Sequence, residues 1–247
     1  MSDWALFLDF DGTLVDIAQR PDGIVVAPEL PDLLTQLSEM LDGALAVVSG
    51  RPIAFLDERL PPFAGDMAGL HGTERRVGGV MHQCRPEDHP QLREAVARMH
   101  ETFDAREGVI IEDKGCSVAL HWRLAPGEEA AARAFVAETG ERLGADYRIQ
   151  YGKAVAELLP AASGKGVVIE QFLQEAPYRG RRPLFVGDDL TDETGFATVN
   201  RLGGAAMRIG DGETVAAHRL PSPDALRACL ARWVEAGGVR LEDVPPA

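Results

Sequence analysis

Short apolar runs that stop abruptly at small or acidic residues constrain this chain more than any other feature. Residues 4–8 (Trp-Ala-Leu-Phe-Leu) end at Asp9, with Gly12 close behind. Residues 44–48 end at Ser49-Gly50-Arg51-Pro52, and 183–186 end at Gly187-Asp188-Asp189. Runs this short, with little polar alternation, fit strands buried on both faces, as in a parallel sheet. Between them lie helical periods. Leu33, Leu34, Leu37, Met40 and Leu41, closed by Gly43, predict a helix over 31–41. Further helices are expected over 164–175, 191–199 and 223–235, and further strands over 66–70 and 205–209. Strands alternating with helices predict an α/β fold with a parallel, Rossmann-like sheet.

The middle of the chain follows another pattern. Helices are expected over 89–104 and 127–143, each followed by a pair of short strands, 109–112 with 117–123 and 147–151 with 154–159. This doubled αββ pattern predicts a small antiparallel sheet with helices on one face. Residues 77–84 read as a connection into it. The expected organisation is a core of 1–79 and 160–247, split by an inserted α+β module of 80–159. The Gly- and Pro-containing tail from Gly237 is expected to be loosely held.

Composition narrows the function classes. With 25 Lys and Arg against 39 Asp and Glu, the net charge is −14. That excludes a nucleic-acid partner, since a phosphate backbone must be met by cations. No apolar run approaches the roughly 18–20 residues of a membrane span, and no basic leader precedes residues 5–8. Three widely spaced cysteines, Cys84, Cys116 and Cys229, are expected to be reduced thiols in a cytoplasmic protein, with neither a disulfide framework nor a zinc site. A monomer is expected.

Polar clusters recur where strands end: Asp9 with Asp11, Ser49, Lys165, and Asp188 with Asp189. In open α/β sheets the ligand crevice lies outside the carboxyl ends of the strands. These clusters, spread over 180 residues, should therefore converge. Their chemistry suits phosphoryl transfer. A carboxylate can attack phosphorus and form an aspartyl phosphate, and a second, two residues on, can protonate the leaving oxygen and then activate water. Mg²⁺ takes hard oxygens from one or two carboxylates. A lysine and a serine hydroxyl can hold the phosphoryl oxygens. Each cluster also has a simpler reading: a turn at Asp9, helix N-caps at Ser49 and Ser163, and an acidic helix start after Gly187. Capping does not account for all four together in this order.

The ordered set resembles the haloacid dehalogenase superfamily of phosphohydrolases. Asp9-Phe10-Asp11-Gly12-Thr13 is similar to its first motif, Val47-Val48-Ser49-Gly50-Arg51 to its second, Lys165 to its third, and Gly187-Asp188-Asp189 to its fourth. The resemblance is closer to the trehalose-6-phosphate phosphatases. It rests on Gly187-Asp188-Asp189-Leu190-Thr191-Asp192-Glu193, on Glu112-Asp113-Lys114-Gly115 with Ser117-Val118-Ala119-Leu120-His121-Trp122-Arg123, and on Gly152-Lys153-Ala154-Val155-Ala156-Glu157 leading to Ser163-Gly164-Lys165-Gly166. Leu70 before His71-Gly72, and Leu159 after Glu157-Leu158, depart from that family's usual Asn and basic residue.

The resemblance implies a capped phosphatase with Mg²⁺ as cofactor and a sugar phosphate as its small-molecule partner. It implies Asp9 as nucleophile and Asp11 as general acid and base. Mg²⁺ would be held by Asp9, the Asp11 carbonyl and Asp188. Ser49, Gly50, Arg51 and Lys165 would bind phosphate, and Glu112, Lys114 and Glu157 would read sugar hydroxyls. Asp189 and Asp192 would support the metal or position Lys165. The cap would close over the sugar and exclude water. Alternatives are a phosphatase of sucrose phosphate or mannosylglycerate phosphate, a phospho-accepting signalling module, and a regulator that only binds a sugar phosphate. Glu112, Lys114 and Arg123 could instead form cross-strand ion pairs, and His71 is read as structural.

Overall fold

A computed structural model of the chain describes residues 3–18 and 23–247. The run Trp4–Leu8 forms β1, whose Ala5, Leu6, Phe7 and Leu8 are fully buried. Each such Leu or Phe contributes about 1.5–3 kcal/mol on leaving water. β1 pairs in parallel with β2 (Leu45–Val48) on one side and with β10 (Arg182–Gly187) on the other. Beyond β2 lies parallel β3 (Asp66–Gly69); beyond β10 lie parallel β11 (Ala205–Ile209) and β12 (His218–Leu220). Helices α1 (Leu30–Met40), α2 (Ile53–Arg59), α5 (Lys165–Phe172), α6 (Glu193–Arg201) and α7 (Pro223–Ala236) belong to the same unit. Phe7, Phe172 and Tyr178 cluster within it, Phe7 stacked on Tyr178 at 5.5 Å between centroids. The strand order reverses at β1, so a crevice opens at its carboxyl end. Asp9 stands there.

Residues 77–84 are more than a connection. β4 (Glu74–Val77) runs antiparallel to β3, and β5 (Val80–Gln83) follows at the sheet edge. Gly78 and Gly79, both with positive φ, make the turn between them. The tail is also better held than its composition suggests. Gly237 closes α7 in a left-handed conformation (φ 69°), and the chain folds back. Trp233 Nε1 donates to the Arg240 carbonyl at 3.2 Å, Val244 is buried, and Ala247 N donates to the Ala217 carbonyl at 3.0 Å. These partners are distant in sequence, so local composition carries no trace of them. β12 lay outside the sequence expectation for the same reason, and α2, only seven residues long, lay outside it as well.

The chain divides into two compact units, Met1–His82 with Gly164–Ala247, and Gln83–Ser163. The second holds α3 (Pro90–Phe103), β6 (Ile110–Asp113), β7 (Val118–His121), α4 (Glu129–Leu143), β8 (Tyr147–Gly152) and β9 (Val155–Pro160). Its antiparallel sheet runs β6-β7-β9-β8. Leu92, Val96, Met99 and Phe103 of α3 and Ala132, Val136 and Leu143 of α4 share its core with Val118, Leu120, Ala156 and Leu158 of the sheet. Among the described residues no helix is long and apolar enough to cross a membrane.

The cysteine expectation is corrected. Cys84 and Cys116 are joined by a disulfide, their Cα atoms 6.2 Å apart across a separation of 32 residues. Cys229 alone is a free thiol, buried in α7. The pairing exists because the turn between β6 and β7 meets the segment after β5. Sequence spacing does not encode that contact.

Candidate active site

Asp9 directly follows β1, where its main-chain N–H donates to Val186 O at 2.9 Å and its side chain is buried. Phe10 is fully buried, which anchors the segment between Asp9 and Asp11. Gly12 follows with φ +79°, a left-handed conformation that favours glycine. A Cβ there would stand 2.1 Å from Asp188 Oδ2, so the glycine is what lets the two aspartate segments approach. Thr13 Oγ1 lies 3.4 Å from Asp9 Oδ2 and 3.3 Å from Asp188 Oδ1.

Lys165 opens α5 after Gly164 (φ 121°), whose N–H donates to His71 O at 2.6 Å. Ser163 does not cap the helix; its hydroxyl donates to Pro160 O at 2.6 Å. Lys165 Nζ lies 2.7 Å from Asp9 Oδ1 and 2.5 Å from Asp192 Oδ1, all three side chains being buried. The other Asp192 oxygen accepts from the main-chain N–H groups of Asp188 (3.0 Å) and Asp189 (2.9 Å). Asp192 therefore fixes both Lys165 and the loop bearing Asp188. Asp189 is exposed and caps the short turn Leu190–Asp192.

Electrostatics follow from this crowding. Burial, and then Asp192 and Asp188, hold the Asp9 carboxyl well above its ordinary range despite Lys165. Burial, with Asp192 next, pushes Asp188 up to about 6. Burial works to lower Lys165, but Asp9 and Asp192 outweigh it and keep the ammonium charged. Oxygens of Asp9, Asp188 and Asp192 lie within 4.8 Å of one another. Three carboxylates around one ammonium leave an excess of negative charge in a buried place. A hard divalent cation such as Mg²⁺ fits that donor set.

Ser49 directly follows β2, is 1% exposed, and accepts from Arg51 N at 3.1 Å. It caps no helix; α2 begins after Pro52 without a side-chain cap. Gly50 sits against the His71 ring, where a Cβ would lie 2.9 Å from Cε1. Arg51 grips Asp11 with two hydrogen bonds, Nε to Oδ2 and Nη2 to Oδ1, both 2.9 Å. A cavity of about 300 Å³ is lined by Asp9, Asp11, Gly50, Arg51, His71, Lys165, Asp188 and Asp189, with Ile17, Ala18 and Thr191. His71, read from sequence as structural, is thus on the wall, in a left-handed conformation (φ 57°). A larger groove of about 620 Å³ between α1 and α7 offers Arg227, already engaged by Asp224 and Leu14 O, and gathers no comparable set.

A second polar cluster lies within the unit Gln83–Ser163. Register pairs Glu112 with Ala119, Ala119 with Glu157, and Glu157 with Gln150, one row across four strands. Glu157, 7% exposed, accepts from Ser117 Oγ at 2.7 Å and Lys114 Nζ at 3.3 Å. Lys114 also lies 3.9 Å from Glu112, and His121 Nε2 is 3.0 Å from Glu112 Oε2. The ion pairing weighed from sequence is present in part: Lys114, in the turn after β6, meets Glu112 and Glu157, whereas Arg123 forms no ion pair among the described residues. Gln150 ends the row, and Ser117, just before β7, reaches it through Glu157; the period-2 alternation of β8 could have indicated Gln150.

Residues 7–219 match the model of the family described as trehalose-phosphatase. The chain belongs to the trehalose-phosphatase family. Over 235 residues this family member is 43% identical to a probable trehalose-phosphate phosphatase of Sinorhizobium fredii, covering 94% of this chain and 88% of the relative. It is 42% identical over 218 residues to a trehalose-6-phosphate phosphatase of Escherichia coli, covering 88% and 81%. The crystal structure of a trehalose-6-phosphate phosphatase related protein matches with a TM-score of 0.73 and 26% identity, over 94% of this chain and 97% of that one.

Proposed function

We infer that this chain hydrolyses trehalose 6-phosphate to trehalose and phosphate. The observation that carries the reading is the meeting of Asp9, Lys165 and Asp188 beside Asp11 at the end of β1, in a member of the trehalose-phosphatase family. Asp9 attacks phosphorus; an Oδ–P bond forms as the bond from phosphorus to the sugar oxygen breaks. Asp11 gives its proton to that leaving oxygen, then takes one from the water that displaces phosphate from Asp9. Lys165 balances the charge on the phosphoryl oxygens and keeps Asp9 oriented. Ser49, Gly50 and Arg51 complete the phosphate cradle.

Arg51 engages both Asp11 carboxylate oxygens. Entering phosphoryl oxygens compete for the guanidinium, which releases the Asp11 side chain toward the leaving oxygen. Asp9, the Asp11 carbonyl and Asp188 would hold Mg²⁺, which when bound supplies Lewis-acid neutralisation between two anions. Catalysis is assigned to residues 1–79 and 160–247. Sugar recognition is assigned to Glu112, Lys114 and Glu157 of the inserted module, 80–159. Carboxylates and an ammonium together can address hydroxyls that both donate and accept.

Phosphate release across a panel of sugar phosphates, with Mg²⁺ and with chelator, tests this. Trehalose 6-phosphate should lead the panel and chelation should abolish turnover. A tenfold preference for another phosphorylated sugar would sink the substrate assignment. Full activity of Asp9→Asn would rule out the nucleophile.

A further inference from the structure

The disulfide was not expected, and its surroundings give it a use. Cys84 is partly exposed and flanked by the exposed Gln83 and Arg85, whereas Cys116 is 3% exposed. His89, immediately before α3, places Nε2 3.0 Å from Cys84 Sγ and Nδ1 2.6 Å from the Tyr147 hydroxyl. In the tautomer where Tyr147 donates to Nδ1, Nε2 carries a hydrogen that faces the sulfur. A hydrogen so held can hydrogen-bond and stabilise a departing thiolate, and a nearby donor eases thiol–disulfide exchange.

The other end of the bond sits in the turn that bears Lys114 and Ser117. There Lys114 N donates to Ser117 O at 3.0 Å, Cys116 N to Lys114 O at 3.1 Å, and Gly115 takes φ +80°. Arg93 holds the same turn through Asp113 and the Gly115 carbonyl. Lys114 and Ser117 both end on Glu157. The bond therefore ties a partly exposed cysteine to the groups that set the polar row.

We propose that Cys84–Cys116 is a thiol-exchange site, assisted by His89, whose reduction loosens the turn carrying Lys114 and Ser117 and weakens recognition of the sugar. The link to sugar rests on the function proposed above. The co-reactant is a low-molecular-weight thiol. Its thiolate attacks the Cys84 sulfur, the S–S bond breaks, and Cys116 leaves as a thiolate that takes a proton. A second thiolate attacks the external sulfur of the mixed disulfide, and Cys84 leaves as a thiolate stabilised by the His89 Nε2–H, then takes a proton from solvent. Two electrons and two protons enter the protein, and the external thiols leave as their disulfide.

The whole chain is compared as air-oxidised and dithiothreitol-reduced protein. Titration of the denatured chain should count one thiol (Cys229) in the first and three in the second. Reduction should raise KM for trehalose 6-phosphate about threefold or more and speed amide exchange over 113–118 about tenfold. Hydrolysis of p-nitrophenyl phosphate, which lacks the sugar, should stay unchanged. Oxidised glutathione should restore both properties. Cys84→Ser should match the reduced protein in either medium, and the reversible cycle of the unaltered chain decides the matter if that variant fails to fold. His89→Phe, which keeps a ring and removes the donor, should slow reduction about tenfold while KM and amide exchange of the oxidised protein stay unchanged, which lost packing would not do. Three thiols in the oxidised sample, or unchanged exchange and KM on reduction, would overturn the proposal. Faster exchange over 113–118 in a chain that never turns over trehalose 6-phosphate would support the exchange site and remove the functional reading instead.

Discussion

Replacing Lys165 by methionine keeps the side-chain length and removes the one ammonium between Asp9 and Asp192. Nζ lies 2.7 Å and 2.5 Å from their oxygens, and the three side chains are 5%, 6% and 0% exposed. Breaking a buried pair from one side leaves an uncompensated charge, at a cost of about 3–5 kcal/mol. For a chain of this size that lowers the melting temperature by about 6–20 °C. The deficit depends on pH in a definite direction. Burial already holds the Asp9 pKa above that of the unfolded chain, so the folded state retains its proton better. Stability from this group is gained as pH falls and lost as pH rises. Without Lys165 that tendency grows, and the deficit should be larger at pH 8 than at pH 5.5. Saturating Mg²⁺ should narrow it by neutralising the same carboxylates. Asp192→Asn in the Lys165→Met background should recover part of the loss, since an amide carbonyl can still accept from Asp188 N and Asp189 N. Urea unfolding across pH, with and without Mg²⁺, measures all of this. A loss below about 1 kcal/mol at pH 8 without Mg²⁺ would refute the reasoning from burial, as would a double variant no more stable than Lys165→Met.

Gly12→Ala places a Cβ 2.1 Å from Asp188 Oδ2 at a φ of +79°. Displacing Asp188 by an ångström should cut Mg²⁺-dependent phosphate release about a hundredfold, and undiminished release would show that the approach is dispensable. Because Asp188 is pushed up to about 6, Mg²⁺ must displace a proton below that pH. Its affinity, followed by calorimetry, should fall at least tenfold per pH unit there, more steeply where Asp9 also takes a proton, and a level profile down to pH 5 would remove Asp188 from the metal. Glu157→Gln should raise KM for trehalose 6-phosphate about tenfold and cost about 1–2 kcal/mol in stability, as a charged hydrogen-bond acceptor is lost. An unchanged KM would leave Glu157 as a structural anchor for Ser117 and Lys114.

Much of the fold was legible because its signals are local. The run 4–8 reads as a buried strand from residue types alone, and β1 spans Trp4–Leu8. Residues 205–209 behave alike in β11. Helix ends were read less well: the expected 164–175 shrinks to Lys165–Phe172, with Ala176-Pro177 beyond it. β5 escaped because its residues are exposed edge positions without alternation, and the tail because its hydrogen bonds reach back to residues 217–219. At the site, residue type and position after a strand picked out Asp9, Lys165 and Asp188, whereas Asp192 was named through the family resemblance alone, since no local signal separates it from an ordinary acidic helix start. Its role beneath Lys165 depends on a contact across 27 residues.

Residue chemistry and apolar periodicity by themselves determined the α/β class and which side chains carry the reactive groups, since both act over a few neighbouring positions. Tertiary structure decided which of those groups meet. It set Lys165 between two carboxylates, gave Asp11 to Arg51, put His71 on the cavity wall and joined Cys84 to Cys116. Each of those pairings depends on strand order and on the approach of distant segments, and the free energy that fixes them comes from packing the whole sheet and its helices.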